Sequence, residues 1–490
     1  MRVVHVASEV TPWSQTGGLA EVVGALPAAL ARQGGDLEVA VMSPLYRMTR
    51  ARVAERGAAL EDTGVEVAVA FPAADLTARV QRLAGRPGGV DTLFLDCPVL
   101  YDRDALYGDA AGDYRDNALR FAFLARAAIA AAPRVLGGPP DLYHGHDWQA
   151  GLVPVYLQRT GAPAPSIMTV HNLAFQGLFD KQTLLQLGLD WSIFTLDRLE
   201  HHDRLSFLKG GLAGAAAVTT VSPTYAMEVL TPRFGEGLHG FLRYDVREVR
   251  GILNGIDAEA WDPARDRAIA ARFSARDLAG KAACRAALAS ERGLAPRPDE
   301  LLVGVISRLT EQKGVDLIAD LVPELHGLGV RLVVLGAGEH ALEERFRWLA
   351  ERFQHHLSVT IGFDPALARR IVAGCDAVLM PSRFEPCGLT QMYAMRYGAV
   401  PVVNPVGGLR DSVADPGDER LADGEGTGFW MEEASAAGVR AALRRAASLH
   451  RGSPEGWRRL VEACMSRDLS WREPAARYLA LYRELLAGGG

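Results

Sequence analysis

Cysteine is scarce in this chain and shows no pairing pattern: Cys97, Cys284, Cys375, Cys387 and Cys464 are five residues among 490, odd in number, far apart and without a CxxC spacing. That excludes a disulfide scaffold and thiol-exchange or zinc-ribbon chemistry, and it fits reduced thiols in a cytoplasmic protein. An excess of positive charge is also missing. The formal charge is −6, from 53 Lys and Arg against 59 Asp and Glu, so no global basic field exists and nucleic acid is not expected as a partner. Long apolar runs are lacking too. MRVVHVASE reaches Glu9 before a signal-length segment can form, and the uncharged stretch 210–227 is interrupted by Gly, Thr, Ser and Pro. Neither export nor membrane insertion is expected.

What is present fits a protein with large cores. Hydrophobic residues make up 49% and charged residues 23% of a chain too long for one ordinary core, which predicts two large domains. Short β-rich runs alternate with alanine- and leucine-rich amphipathic segments: RVVHVAS, a helix over 19–33, LEVAVMSP, TLFLDCP, a helix over 117–132, DLYHGHD, SIMTVHN and AAVTTVS. Such alternation predicts parallel strands joined by crossover helices. The pattern breaks near 245–300 and restarts with LLVGVISRL, RLVVLGAG, LSVTIGF, AVLMPSR and AVPVVNP. The expected fold is therefore α/β, with two Rossmann-like doubly wound domains whose strand ends face a shared cleft. WREPAARYLALYRELL places Leu481, Leu485, Tyr478 and Tyr482 at helical spacing and predicts a packing helix at the end of the chain.

The unusual polar residues lie where apolar runs stop. Gly17 and Gly18 in EVTPWSQTGGLAEV separate a strand from a helix, where glycine permits positive φ and lets backbone amides approach an anionic ligand; a ligand-free tight turn is the plain alternative. DLYHGHDWQAGL ends a strand in His144, His146 and Asp147, and TVHNLAFQG ends another in His171 and Asn172. The helical His spacing of a zinc protease is absent, so no metal site is assigned. In SRLTEQKG, Arg308 and Lys313 can converge on phosphate oxygens. Glu385, before the turn Pro386-Cys387-Gly388, is suited to accepting sugar hydroxyls or stabilising a developing positive charge. Gly336, Gly338 and Ala341 fit a GxGxxA dinucleotide fingerprint, but the acid expected about 20 residues on is missing, which argues against a dehydrogenase.

Taken in order, TGGLAEV, FLDCPVLYDR, HGHDWQAGL, TVHNLAFQG, GILNGID, SRLTEQKG, PSRFEPCGLTQ, VGGLRD and GTGF make the chain resemble the starch/glycogen synthase family of glycosyltransferases over nearly its whole length. The resemblance implies the GT-B architecture and retaining transfer of glucose from ADP-glucose to the non-reducing end of an α-1,4-glucan such as glycogen, without a metal or other cofactor. It implies an N-terminal acceptor-side domain over 1–245, a nucleotide-sugar domain over 246–465, and a helix over 466–490 returning to the first. Matched motif by motif, Glu385, His171, Asp147, Arg308 and Lys313 take catalytic roles, the last two as diphosphate-binding cations. Gln15, Gly17, Gly18, Asn254, Cys387, Gly388 and Leu389 take donor-binding roles. Two positions depart from the pattern: Gln15 stands where the family usually has lysine, and Tyr393 stands eight residues after Glu385, where many related transferases carry a second glutamate. The first bears on the donor, leaving UDP-glucose, or a glucan-binding protein that has lost turnover, as alternatives.

Overall fold

The computed structural model describes residues 1–109, 112–162 and 164–488. The chain divides into two compact units, Met1–Asn254 with Trp471–Gly490, and Gly255–Ser470.

The first unit is built on a nine-stranded sheet. Its strands are β1 (Arg2–Val6), β2 (Glu38–Pro44), β3 (Leu60–Phe71), β4 (Ala74–Leu83), β5 (Asp91–Asp96), β6 (Leu142–His146), β7 (Ser166–Val170), β8 (Ala217–Thr220) and β9 (Val249–Gly251), in the order β9-β8-β7-β6-β1-β2-β5-β4-β3. The strands from β9 to β5 pair in parallel. Every residue of β6 and β7 is buried, as expected of strands covered on both faces, which read as continuous runs and not as alternating ones. The expectation of parallel strands alone needs correction at the other edge, where β3 and β4 form a long antiparallel hairpin that pairs antiparallel with β5. Its outer strand alternates exposed and buried residues, as a one-sided edge should.

The helix Arg472–Ala487 packs on this unit. Ala475, Tyr478, Leu479, Leu481 and Tyr482 are buried against Val22, Leu26 and Leu30 of the helix Gly18–Ala31 and against Val3 and Leu142. Sequence distance is no obstacle: the helix supplies an apolar face the sheet needs covered.

The second unit carries β10 (Leu301–Ile306), β11 (Val330–Gly336), β12 (Leu357–Ile361), β13 (Ala377–Met380), β14 (Val400–Val403) and β15 (Phe429–Trp430), in the order β12-β11-β10-β13-β14-β15, all parallel. The order steps outward in both directions from β10 and β13, the doubly wound signature that places ligand sites beyond the carboxyl ends of the central strands. All five cysteines are buried, and none forms a disulfide. Among the described residues no helix is long and apolar enough to cross a membrane.

Tyr478→Ala removes a fully buried ring that joins the last helix to the first unit. The expected cost is about 3–5 kcal/mol, read as a lower urea midpoint for this unit with the far-ultraviolet spectrum of the native state retained.

Candidate active site

The loops after β1, β6 and β7 hold the first group of polar residues. Glu9, buried three residues past β1, accepts hydrogen bonds from Thr16 N and from Thr16 Oγ1 at 2.7 Å, and from Tyr107 Oη at 2.5 Å. The carboxylate thus ties down the stretch leading into Gly17 and Gly18. Sequence reasoning passed over Glu9; the available signal was an acidic residue directly after a buried strand, where a charge needs several donors to be tolerated.

Gly17 is extended, with φ −161° and ψ −161°, and neither Gly17 nor Gly18 has positive φ. The expected conformational reason for these glycines is therefore not the operative one. A Cβ at either position would meet nothing within 4 Å, so the chain itself does not demand glycine there. The helix Gly18–Ala31 that follows begins with amides that lack intrahelical partners. Gln15 turns its amide toward that helix, donating from Nε2 to Glu21 Oε1 at 2.8 Å.

Asp147 follows β6 in a conformation rare for a residue with a side chain, φ 54° and ψ −172°. Such strain persists only where surroundings hold it. Asp147 N donates to Thr169 O at 2.9 Å, and Asp147 Oδ1 accepts from His171 N at 2.7 Å, locking the ends of β6 and β7 together. Burial pushes the Asp147 carboxyl up to about 7, against the opposing backbone hydrogen bonds of His171 and Asn172. His171 is the first residue after β7, and desolvation brings its imidazole down to about 3, so it is neutral at physiological pH. Asn172 Oδ1 caps the next turn through Ala174 N at 3.1 Å. Asn254 closes the unit three residues past β9, its Oδ1 buried and without a hydrogen-bond partner.

The second unit assembles its residues separately. Arg308, two residues beyond β10, is exposed and donates from Nη2 to Gln312 Oε1 at 3.2 Å. Lys313 Nζ lies 2.5 Å from Glu385 Oε2, with both side chains largely buried, and Ser382 Oγ donates to the same oxygen at 3.1 Å. Two glycines make this approach possible. Gly314 has φ 65°, and a Cβ there would sit 2.1 Å from Pro381 O; Gly407 has φ 45°, with its would-be Cβ 2.0 Å from Glu385 O. Gly408 N donates to Glu385 O at 3.1 Å. The strap Glu385–Leu389 is thus clamped between the loops after β10 and β14. Gln391 Nε2 holds it from below, donating to Cys387 O at 3.0 Å and Gly388 O at 2.9 Å, and Leu389 is the N-cap of the helix Thr390–Arg396. Tyr393 stacks on Trp261 at 3.8 Å between ring centroids.

The structure therefore groups Gln15, Gly17, Gly18, Asp147, His171 and Asn254 in the first unit. Arg308, Lys313, Glu385, Cys387, Gly388 and Leu389 belong to the second. Gly336 and Gly338 of the dinucleotide-like stretch are accounted for by packing: would-be Cβ atoms would lie 1.9 Å from Ser307 O and 2.3 Å from Leu309 O.

Residues 2–244 match the family described as starch synthase catalytic domain, and residues 289–454 match glycosyl transferases group 1. The glycogen synthase of Anaeromyxobacter dehalogenans strain 2CP-1 is 48% identical over 100% of both chains, and that of Syntrophotalea carbinolica is 43% identical over 99% of both. Among solved structures, the catalytic domain of starch synthase IV from Arabidopsis thaliana, bound to ADP and acarbose, is similar with a TM-score of 0.89 and 35% identity over 99% of both chains. A sucrose-phosphate synthase from Thermosynechococcus elongatus, at 17% identity and a TM-score of 0.61, shares the fold.

The Asp147 carboxyl gives a pH test. An unfolded aspartate ionises near pH 4, whereas the folded group does so at about 7. A raised folded value means stability that is fully present below about pH 4 and lost as pH rises toward 7. Asp147→Asn cannot ionise, so its melting temperature relative to the parent should climb from pH 4 to pH 7 and level off above; a constant difference refutes the shift.

With two matched family models and full-length relatives at this level of identity, the chain belongs to the starch/glycogen synthase family of glycosyltransferases.

Proposed function

We propose that the protein is a retaining glucosyltransferase that moves glucose from ADP-glucose to the non-reducing end of an α-1,4-glucan, working as a cytoplasmic enzyme without a metal. The observation that carries this reading is the Arg308, Lys313 and Glu385 group at the carboxyl ends of β10 and β13. Breaking the bond between the sugar C1 and the diphosphate oxygen leaves a diphosphate anion and a sugar with oxocarbenium character. The acceptor 4-hydroxyl supplies the oxygen of the new glycosidic bond, and its proton leaves with the diphosphate. Arg308 and Lys313 serve the anion, and Glu385 the developing positive charge.

The Lys313–Glu385 contact has a consequence for that division. With its carboxylate already held by Lys313 and Ser382, Glu385 needs no reorganisation when charge develops on the sugar, which is the condition for effective electrostatic stabilisation. His171 and Asp147 take the sugar and acceptor side. His171, being neutral, adds no repulsion to a cationic sugar.

The similarity to a starch synthase solved with ADP supports ADP-glucose over UDP-glucose. Gln15 weakens the donor site without abolishing it, since its amide is engaged by Glu21 and carries no charge.

Alanine at Arg308 or Lys313 should lower kcat by about 10²-fold or more, as loss of transition-state charge stabilisation does. Glucan binding should barely change, measured by nucleotide release from ADP-glucose and by affinity electrophoresis in glycogen; near-normal turnover in both variants removes the two cations from the mechanism. Gln15→Lys should lower the KM for ADP-glucose by about tenfold or less, because Glu21 would share the new charge. An unchanged or raised KM means Gln15 is not a simple weakening.

A further inference from the structure

The first unit contains a cluster of three buried histidines and the half-buried His171, of which the proposed reaction uses only His171. Parallel pairing sets His5 of β1 directly opposite His144 of β6, and His146, two residues on, shares that face. Ring centroids are 4.7 Å apart for His5 and His144, 4.3 Å for His144 and His146, and 5.2 Å for His146 and His171. Nitrogens of His5, His144 and His146 lie within 4.8 Å of one another, close enough to suit a metal ion. Their hydrogen bonds describe a different arrangement. His144 is saturated by Tyr482 Oη at 2.7 Å and Thr169 Oγ1 at 2.6 Å. The other three form one line: His171 Nε2 to His146 Nδ1 at 3.0 Å, and His146 Nε2 to His5 Nδ1 at 3.0 Å. At the far end, His5 Nε2 is buried without a partner.

A neutral imidazole has one N–H and one lone pair, and burial lowers the proton affinity of all three rings of this line. Each contact between ring nitrogens needs one proton, so only two consistent arrangements exist. In one, His5 Nδ1–H donates to His146 Nε2, His146 Nδ1–H donates to His171 Nε2, and His171 carries its own proton on Nδ1. In the other, every bond is reversed, and His5 is left with a buried N–H that donates to nothing. Orphaned buried N–H groups are rarer than under-used acceptors, so the first arrangement is favoured. The line is decided at its closed end and read out at its open one.

We propose that His5 and His146 are positioning residues that fix His171 as the neutral Nδ1–H tautomer, so that it meets the substrate as a hydrogen-bond donor to a sugar oxygen and not as a base. Which ring nitrogen is protonated is set by the bond the other nitrogen makes, and here that bond traces back to an unpartnered atom deep in the sheet. A neutral donor can orient a hydroxyl beside a developing cation without opposing it. The inference rests on the reading of His171 as a substrate-facing residue of the transferase.

The direct test is nitrogen NMR of the full chain labelled at histidine, with the His171 signals assigned by difference from His171→Gln. A protonated-nitrogen shift at Nδ1 is expected, and protonation at Nε2 overturns the proposal whatever the protein's activity. Two variants add a kinetic readout. His5→Asp sets an acceptor opposite His146 Nε2, which reverses the line and should move the His171 proton to Nε2 and lower kcat by roughly 10–100-fold, as loss of a histidine's orienting partner does, with KM for ADP-glucose within about twofold. His5→Asn, whose amide nitrogen stands where Nδ1 stood, should keep the Nδ1–H signal and most of kcat. Equal loss in the two variants, or full turnover in His5→Asp, overturns the tautomer argument. A parent protein that releases no nucleotide from ADP-glucose would instead defeat the proposed function, while the NMR result would still judge the line of histidines.

Discussion

Parallel strand pairing is the constraint from which the candidate site follows. In β1, β6, β7, β8 and β9, and again from β10 to β15, every strand runs the same way as its neighbour, so each sheet collects its strand C-termini along one edge. The strand interiors are buried on both faces and are mostly apolar, with His5, His144, His146 and Thr169 as buried exceptions. Polar chemistry is therefore concentrated in the first few residues beyond each strand: Glu9, Asp147 and His171 in one unit, and Arg308, Ser382 and Glu385 in the other. Sequence-distant residues become neighbours because their strands are, as when His171 N reaches Asp147 Oδ1 across the ends of β6 and β7.

That same constraint explains what could be read without coordinates. An apolar run that stops abruptly in HGHD, VHN, SRL or PSRFE marks both a buried strand and its functional end, so the strands and the polar residues beyond them were visible together. The hairpin β3–β4 was not expected, although ADLTARVQRL alternates polar with apolar residues as a half-buried strand does; its partner begins LEDTG, which looks like a turn. Glu9 escaped because nothing in the sequence shows that Thr16 and Tyr107 turn toward it. His5 escaped for a related reason: within RVVHVAS it is one polar residue in an apolar strand, and only the register β1 to β6 shows that it belongs to a group.

Glycine illustrates how one residue type carries two meanings that sequence alone does not separate. Gly336 and Gly338 look like a nucleotide fingerprint, yet each is required by a carbonyl of the loop after β10 that would collide with any side chain. Gly314 and Gly407 are required in the same way, with left-handed backbone added, and their effect is to bring Lys313 and Glu385 together. Gly17 and Gly18 differ from all four. No atom of the described residues comes within 4 Å of where their side chains would be, so the packing that requires the other four does not require these two.

The two units also handle charge in opposite ways. In the second unit the carboxylate of Glu385 is kept next to an ammonium and a hydroxyl, so its burial is compensated. In the first unit, among the described residues, no cation contacts His5, His144, His146 or His171, and desolvation resolves the conflict by removing charge: His5 and His171 are driven to about 3 and remain neutral. Asp147 follows the same logic from the acidic side, its carboxyl raised to about 7 by burial, against the lowering effect of the backbone amides of His171 and Asn172. Charge is thus kept by pairing in the second unit, as in Lys313 and Glu385, and removed by burial in the first, as in His5 and His171.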